Sequence, residues 1–129
     1  MFTIINNIIL MMDEYYIGVD VGTGSVRSAL VSAGGHVLHV SVQEISRVSP
    51  RPGHYVQSSG EVWSAVCSTV SRVLTQSRVS ETRVRGLGFT GTCSMVIEAD
   101  DGGVELSDDE AGYDIIMWMD HRAEVMILK

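Results

Sequence analysis

A chain of 129 residues, 45% apolar and 19% charged, holds enough material for one small domain with a core. A formal net charge of −7 excludes the basic surface that nucleic-acid phosphates require, and no Lys/Arg run is present to hold an anionic membrane. The two cysteines, Cys67 and Cys93, form no Cys-x-x-Cys pair; free thiols in a reducing, cytoplasmic compartment are expected, with neither a disulfide framework nor a zinc site.

The first dozen residues are apolar but interrupted by Asn6 and Asn7, and too short to cross a bilayer. They lack the basic start and small-residue cleavage site of a secretory signal. Residues 1–14 are therefore read as an N-terminal extension, with Met11 or Met12 as an alternative start.

The stretch that organises the chain is residues 16–31. Two β-rich apolar runs flank a tight glycine turn, Gly22-Thr23-Gly24-Ser25. Such a turn brings backbone N–H groups, two hydroxyls and the Arg27 guanidinium towards a phosphate. Asp20 closes the first run. A carboxylate inside an apolar strand is costly if buried alone, and a nearby cation, such as the magnesium that accompanies nucleotide phosphates, removes that cost. A Walker loop is excluded because no Gly-Lys pair occurs in the chain. The dinucleotide fingerprint is excluded because Arg27 stands where its third glycine belongs and a strand, not a helix, follows. The competing reading is an ordinary Gly-Thr-Gly hairpin that holds no ligand.

Further along, Gly34-Gly35 marks a second turn and residues 36–45 a third strand, giving a three-strand antiparallel meander. Pro50, Pro52 and Gly53 make residues 46–57 a loop. Ser58 and Glu61 have the spacing of a capping box, opening a helix whose apolar stripe runs through Trp63, Val66, Cys67, Val70, Val73 and Leu74. That spacing assigns Trp63 and Cys67 to the core. A strand over residues 84–90, parallel to an earlier one, leads into the small polar loop Gly91-Thr92-Cys93-Ser94 and a short strand from Met95 to Glu98. Residues 100–114 read as an acidic, solvated connection without calcium-loop spacing. A strand over residues 115–119 follows, then Asp120-His121-Arg122, with Asp120 placed to cap a last helix.

Four of these segments occur in the order found in FGGY-family carbohydrate kinases, closest to the ribulokinase-like branch. They are Asp20 to Arg27, Gln57-Ser58 with Trp63, Gly86 to Met95, and Ile116-Met-Trp-Met-Asp-His-Arg122. The resemblance implies an α/β ribonuclease-H-like fold of the actin and Hsp70 type, with residues 15–129 as the first part of the N-terminal domain. It also implies transfer of the ATP γ-phosphate to a sugar or polyol hydroxyl, a ketopentose such as D-ribulose above all. By position, Asp20 resembles the carboxylate associated with Mg2+. Gly22, Thr23, Gly24, Ser25 and Arg27 resemble the phosphate hairpin. Thr92 and Cys93 resemble one sugar-contacting loop, and Asp120, His121 and Arg122 a second.

Family members are several times longer, and their catalytic base and most of their adenine site lie in parts that have no match here. The base is thus expected beyond Lys129, the chain by itself is expected to be inactive, and its last residues, 124–129, read as a foreign end. Two other readings stand beside this one. The first is a catalytically silent short product that binds a partner through an incomplete sheet edge; the second is an actin-like nucleotide-binding module without a sugar role.

Overall fold

The computed structural model describes residues 14–97, 106 and 112–124. The N-terminal extension, most of the acidic connection and the last five residues lie outside the described residues. Strands β1 (Tyr15–Val21), β2 (Ser25–Ser32) and β3 (Val37–Glu44) form the expected meander, followed by β4 (Val56–Gln57), helix α1 (Ser59–Ser77), β5 (Val84–Gly91), β6 (Met95–Val96) and β7 (Ile115–Ile116). The larger sheet has the order β3-β2-β1-β5, with β5 parallel to β1 and the other neighbours antiparallel. The three two-residue strands make a second sheet, β4-β7-β6. The mixed sheet with a flanking helix, the one α-helix named among the described residues, is the architecture expected from the sequence.

Alternation along the strands sorts side chains onto two faces. Ile17, Val19, Val26 and Leu30 point to one face, where Ala65, Val66 and Val73 of α1 meet them and complete the core. Ser28 and Thr69 also lie in that layer, and their hydroxyls satisfy each other at 2.8 Å, so the polar pair is buried without an orphan.

Four local expectations are corrected. Trp63 and Cys67 are exposed, Trp63 by 64%, because the helix turns its Ala65–Val66–Thr69–Val73 side to the sheet. The stripe inferred from spacing was broad enough to allow either rotation. The capping box does not form: Glu61 accepts from the backbone N–H and hydroxyl of Ser46. The orphan donor at the helix start goes to Asp114, which accepts from Ser59 N at 2.7 Å and from the Ser59 hydroxyl. The loop over 46–57 ends in β4, bridged at Val56 to Val48. The strand expected over 115–119 stops at Ile116, since Asp120 N donates to Met117 O and closes a turn.

These burials predict two contrasting stabilities. Leu30→Ala, at a fully buried site, should cost about 2–5 kcal/mol. Trp63→Ser should cost less than ~1 kcal/mol in dilute protein. Urea unfolding at constant m checks both; a Trp63 loss as large as that of Leu30 would place the indole in the core after all.

Candidate functional site

The β1–β2 register sets Asp20 directly across from Arg27. Arg27 Nη1 donates to Asp20 Oδ2 at 2.8 Å, with the side chains 52% and 45% exposed. The cation that relieves this carboxylate is thus the guanidinium one strand away, and the pair lies on the face opposite α1. The same register puts Val42 beside Arg27 and Thr90 beside Asp20, so Val42, Arg27, Asp20 and Thr90 form one row across the sheet. The adjacent row is Val40, Ala29, Gly18 and Gly88. Its two glycines carry no side chain, and this leaves an open hollow of about 440 Å³ with a polar rim of Asp20, Arg27 and Thr90.

Beyond the Asp20–Arg27 row, past the Val21–Val26 pair, the hairpin closes in the glycine turn. Gly22 N donates to Ser25 O at 2.9 Å, closing the turn. A Cβ at Gly22 would stand 3.2 Å from Ser25 O and 3.3 Å from Arg27 Nη1, so glycine lets the guanidinium sit against the backbone. Thr23 is held from two directions: Gln57 Nε2 donates to its carbonyl at 3.0 Å and Trp118 Nε1 to its hydroxyl at 3.1 Å. Thr92 N donates to Val21 O at 3.1 Å, which ties the loop after β5 to the mouth of the hairpin.

The small sheet and the parallel β1–β5 pairing make this gathering possible. Pairing β7 with β4 brings Gln57 and Trp118 to the turn, and β5 beside β1 brings Thr92 to its mouth. Gly22, Thr23, Gly24, Ser25, Arg27, Asp20 and Thr92 therefore belong to one neighbourhood. Cys93 and Thr92 are exposed in the loop, and the Thr92 and Ser94 hydroxyls lie 3.4 Å apart.

The second expected sugar segment is arranged differently for each residue. The Asp120 carboxylate, 2% exposed, accepts from Tyr55 N at 2.7 Å and from Arg122 N, Nε and Nη2. His121 donates its backbone N–H to Gly53 O, while its ring is 61% exposed and 3.0 Å from Glu124. The Asp120 carboxylate and the His121 backbone N–H thus clamp residues 53–55, Arg122 neutralises Asp120, and the His121 ring faces outward. Three contributors were not singled out as site residues from sequence: Thr90, Gln57 and Trp118. Thr90 is legible only from the parallel register, and the Trp118 bond only from the small sheet.

Residues 15–129 match the family model described as the FGGY family of carbohydrate kinases, N-terminal domain. The chain belongs to the FGGY family. An FGGY carbohydrate kinase domain-containing protein of Danio rerio is 46% identical over 112 residues, which cover 84% of this chain and 20% of that protein. The D-ribulokinase of Saccharomyces cerevisiae is 41% identical over 114 residues, 85% of this chain and 16% of its own length. The chain thus spans about a fifth or less of these relatives. The structure of a gluconate kinase from Lactobacillus acidophilus superposes with a TM-score of 0.75 at 19% identity, over 90% of this chain and 22% of that one. The fold is that of the actin/Hsp70-type ATPases, in the form sugar kinases use.

Burial alone would raise the Asp120 pKa, but the hydrogen bonds from Arg122 and Tyr55 outweigh it and hold the carboxyl at about 2, below its ordinary 3.8. A depressed carboxylate stabilises the fold above its unfolded pKa and loses that contribution as pH falls from about 4 towards 2. Asp120→Asn should therefore cost about 2 kcal/mol at pH 7, and the gap to the parent should close towards pH 2. Urea midpoints across that range check it; a gap independent of pH would contradict the clamp.

Proposed function

We propose that this chain supplies the phosphate turn and acceptor-side loops of an ATP-dependent sugar kinase, with D-ribulose or a related ketopentose as the acceptor. The observation that carries the reading is the Asp20–Arg27–Thr90 row beside a glycine turn whose Thr23 is tied to Trp118. That arrangement sets a basic group, a carboxylate and small donors next to the Trp-Met-Asp-His-Arg segment. The ketopentose assignment is supported by the likeness to the yeast D-ribulokinase.

Magnesium fits this donor set. Arg27 takes only Oδ2 of Asp20, and the half-exposed carboxylate leaves its other oxygen open to a hydrated ion, as Mg2+ prefers one or two carboxylates and several waters. Asp20 would hold such an ion, which when bound would supply positive charge to offset the nucleotide phosphates. Arg27 and the turn orient the terminal phosphate. Thr92 and the His121 ring offer polar groups to the sugar hydroxyls. Asp20, Asp114 and Asp120, the three aspartates among the described residues, are engaged by Arg27, Ser59 and Arg122. On the family likeness, the base for the acceptor hydroxyl is placed in a further part of a longer relative, and this chain alone is assigned binding without turnover.

Calorimetric titration with Mg·ATP tests the reading. Binding should need Mg2+ and weaken roughly tenfold or more in Asp20→Asn, the scale of a lost charge-assisted bond. The chain should form no sugar phosphate from D-ribulose and ATP. Nucleotide affinity unchanged by Asp20→Asn would remove the site, and turnover clearly above blank would overturn the inactivity of the isolated chain.

A further inference from the structure

The tip of the glycine turn is held by its carbonyls. Gly24 O accepts from Ile45 N at 3.1 Å, and Thr23 O accepts from Gln57 Nε2 at 3.0 Å. Both acceptors are thereby turned into the protein and away from an anion at the turn. A trans peptide carries its C=O and N–H on opposite sides, and the described residues contain no cis bond. With Thr23 O pointing to Gln57, Gly24 N–H points the other way. Gly24 is exposed, its amide has no protein acceptor among the described residues, and a Cβ here would meet nothing within 4 Å. Glycine also makes this peptide cheap to flip, since Gly24 accepts the dihedrals of either orientation. Which side faces outward is thus decided by the partner of Thr23 O.

Gln57 is well placed to decide it. The residue is 4% exposed, and Nε2 also donates to Ser46 O at 2.9 Å. Because both partners are carbonyl oxygens, the amide nitrogen and not its oxygen must stand between them. The anchor is itself fixed from behind. Gln57 O accepts from Asp114 N at 3.2 Å, and Glu61 of α1 holds Ser46 through its N–H and hydroxyl. The Trp118 bond, by contrast, ends on the Thr23 hydroxyl, which turns about its own side-chain bond and leaves the peptide plane undetermined.

We propose that Gln57 is a positioning residue for phosphate: by holding Thr23 O, it presents Gly24 N–H to the phosphates of Mg·ATP. This role rests on the phosphate turn proposed above and adds to it a buried residue that touches no ligand. Without the Nε2 donors the Thr23–Gly24 peptide is free to turn its carbonyl outward, setting a dipole of the wrong sign against the phosphate. Binding also leaves a trace at Gln57. An N–H bonded to phosphate polarises its peptide, so Thr23 O becomes a stronger acceptor for Nε2.

Calorimetry and amide NMR on the 129-residue chain test the role. In the parent, titration with Mg·tripolyphosphate, which has no ring to perturb shifts, should move the Gly24 N–H and Gln57 side-chain NH2 signals downfield with one midpoint. Gln57→Met, close in size but without donors, should weaken Mg·ATP binding about tenfold or more, and Gly24 should no longer follow the titration. Val73→Ala, a core change in α1, calibrates lost stability and should leave the affinity of the folded protein unchanged. Equal affinity in Gln57→Met and the parent, or a Gly24 signal that ignores the ligand, would overturn the positioning role and leave an Asp20-dependent site standing. Parent binding indifferent to Asp20→Asn would remove the phosphate site and this role together. If Gln57→Met does not fold, the two signals in the parent decide: both moving supports the role, and either one unmoved overturns it.

Discussion

The pairing of β1 with β2 is the constraint from which the rest follows. One register decides both faces: it puts Ile17 against Leu30 beneath the helix and Asp20 against Arg27 on the opposite side. A slip of one residue would move the charged pair into the core and the aliphatic pair into water, which is why register is strongly specified where one face is buried. The exposed Asp20–Arg27 pair itself adds at most about 1 kcal/mol. Its position is therefore a consequence of core packing and leaves the two groups available for ligand chemistry.

A second constraint is the small β4-β7-β6 sheet. Two-residue strands carry little stability of their own, and side-chain bonds extend them: Gln57 reaches Thr23 and Ser46, Asp114 holds the start of α1, and Asp120 grips Tyr55 and Arg122. Polar groups that sequence reading assigns to ligands or caps are here partly structural. The Asp120 carboxylate in particular is a buried anion neutralised by Arg122, and its depressed pKa reports that clamp.

Much of this was legible in the sequence because it is local. Alternating β-branched runs flank Gly22-Thr23-Gly24 and mark the hairpin, while the lack of a Gly-Lys pair and Arg27 in place of a third glycine rule out two other phosphate loops. The parallel placement of β5 followed from the intervening helix. What was not legible depends on partners far along the chain. The rotation of α1 was misassigned because Trp63, Val66 and Val70 form as good a stripe as Ala65, Val66 and Thr69; only a sheet covered as far as β1 decides between them. Glu61 left the capping box because Ser46 offered two donors, and Trp118 reached Thr23 across a sheet too short to announce itself by periodicity.

The proposed seat of metal-bound phosphate is the glycine turn, with Asp20 and Arg27 beside it. The most direct measurement is paramagnetic broadening of backbone amide signals by Mn2+·ADP. The account predicts broadening centred on Asp20, Gly22 to Arg27 and Thr90, abolished in Asp20→Asn. Broadening centred instead on the groove lined by Trp63 and Phe89, or spread evenly over the acidic surface and indifferent to Asp20, would contradict it.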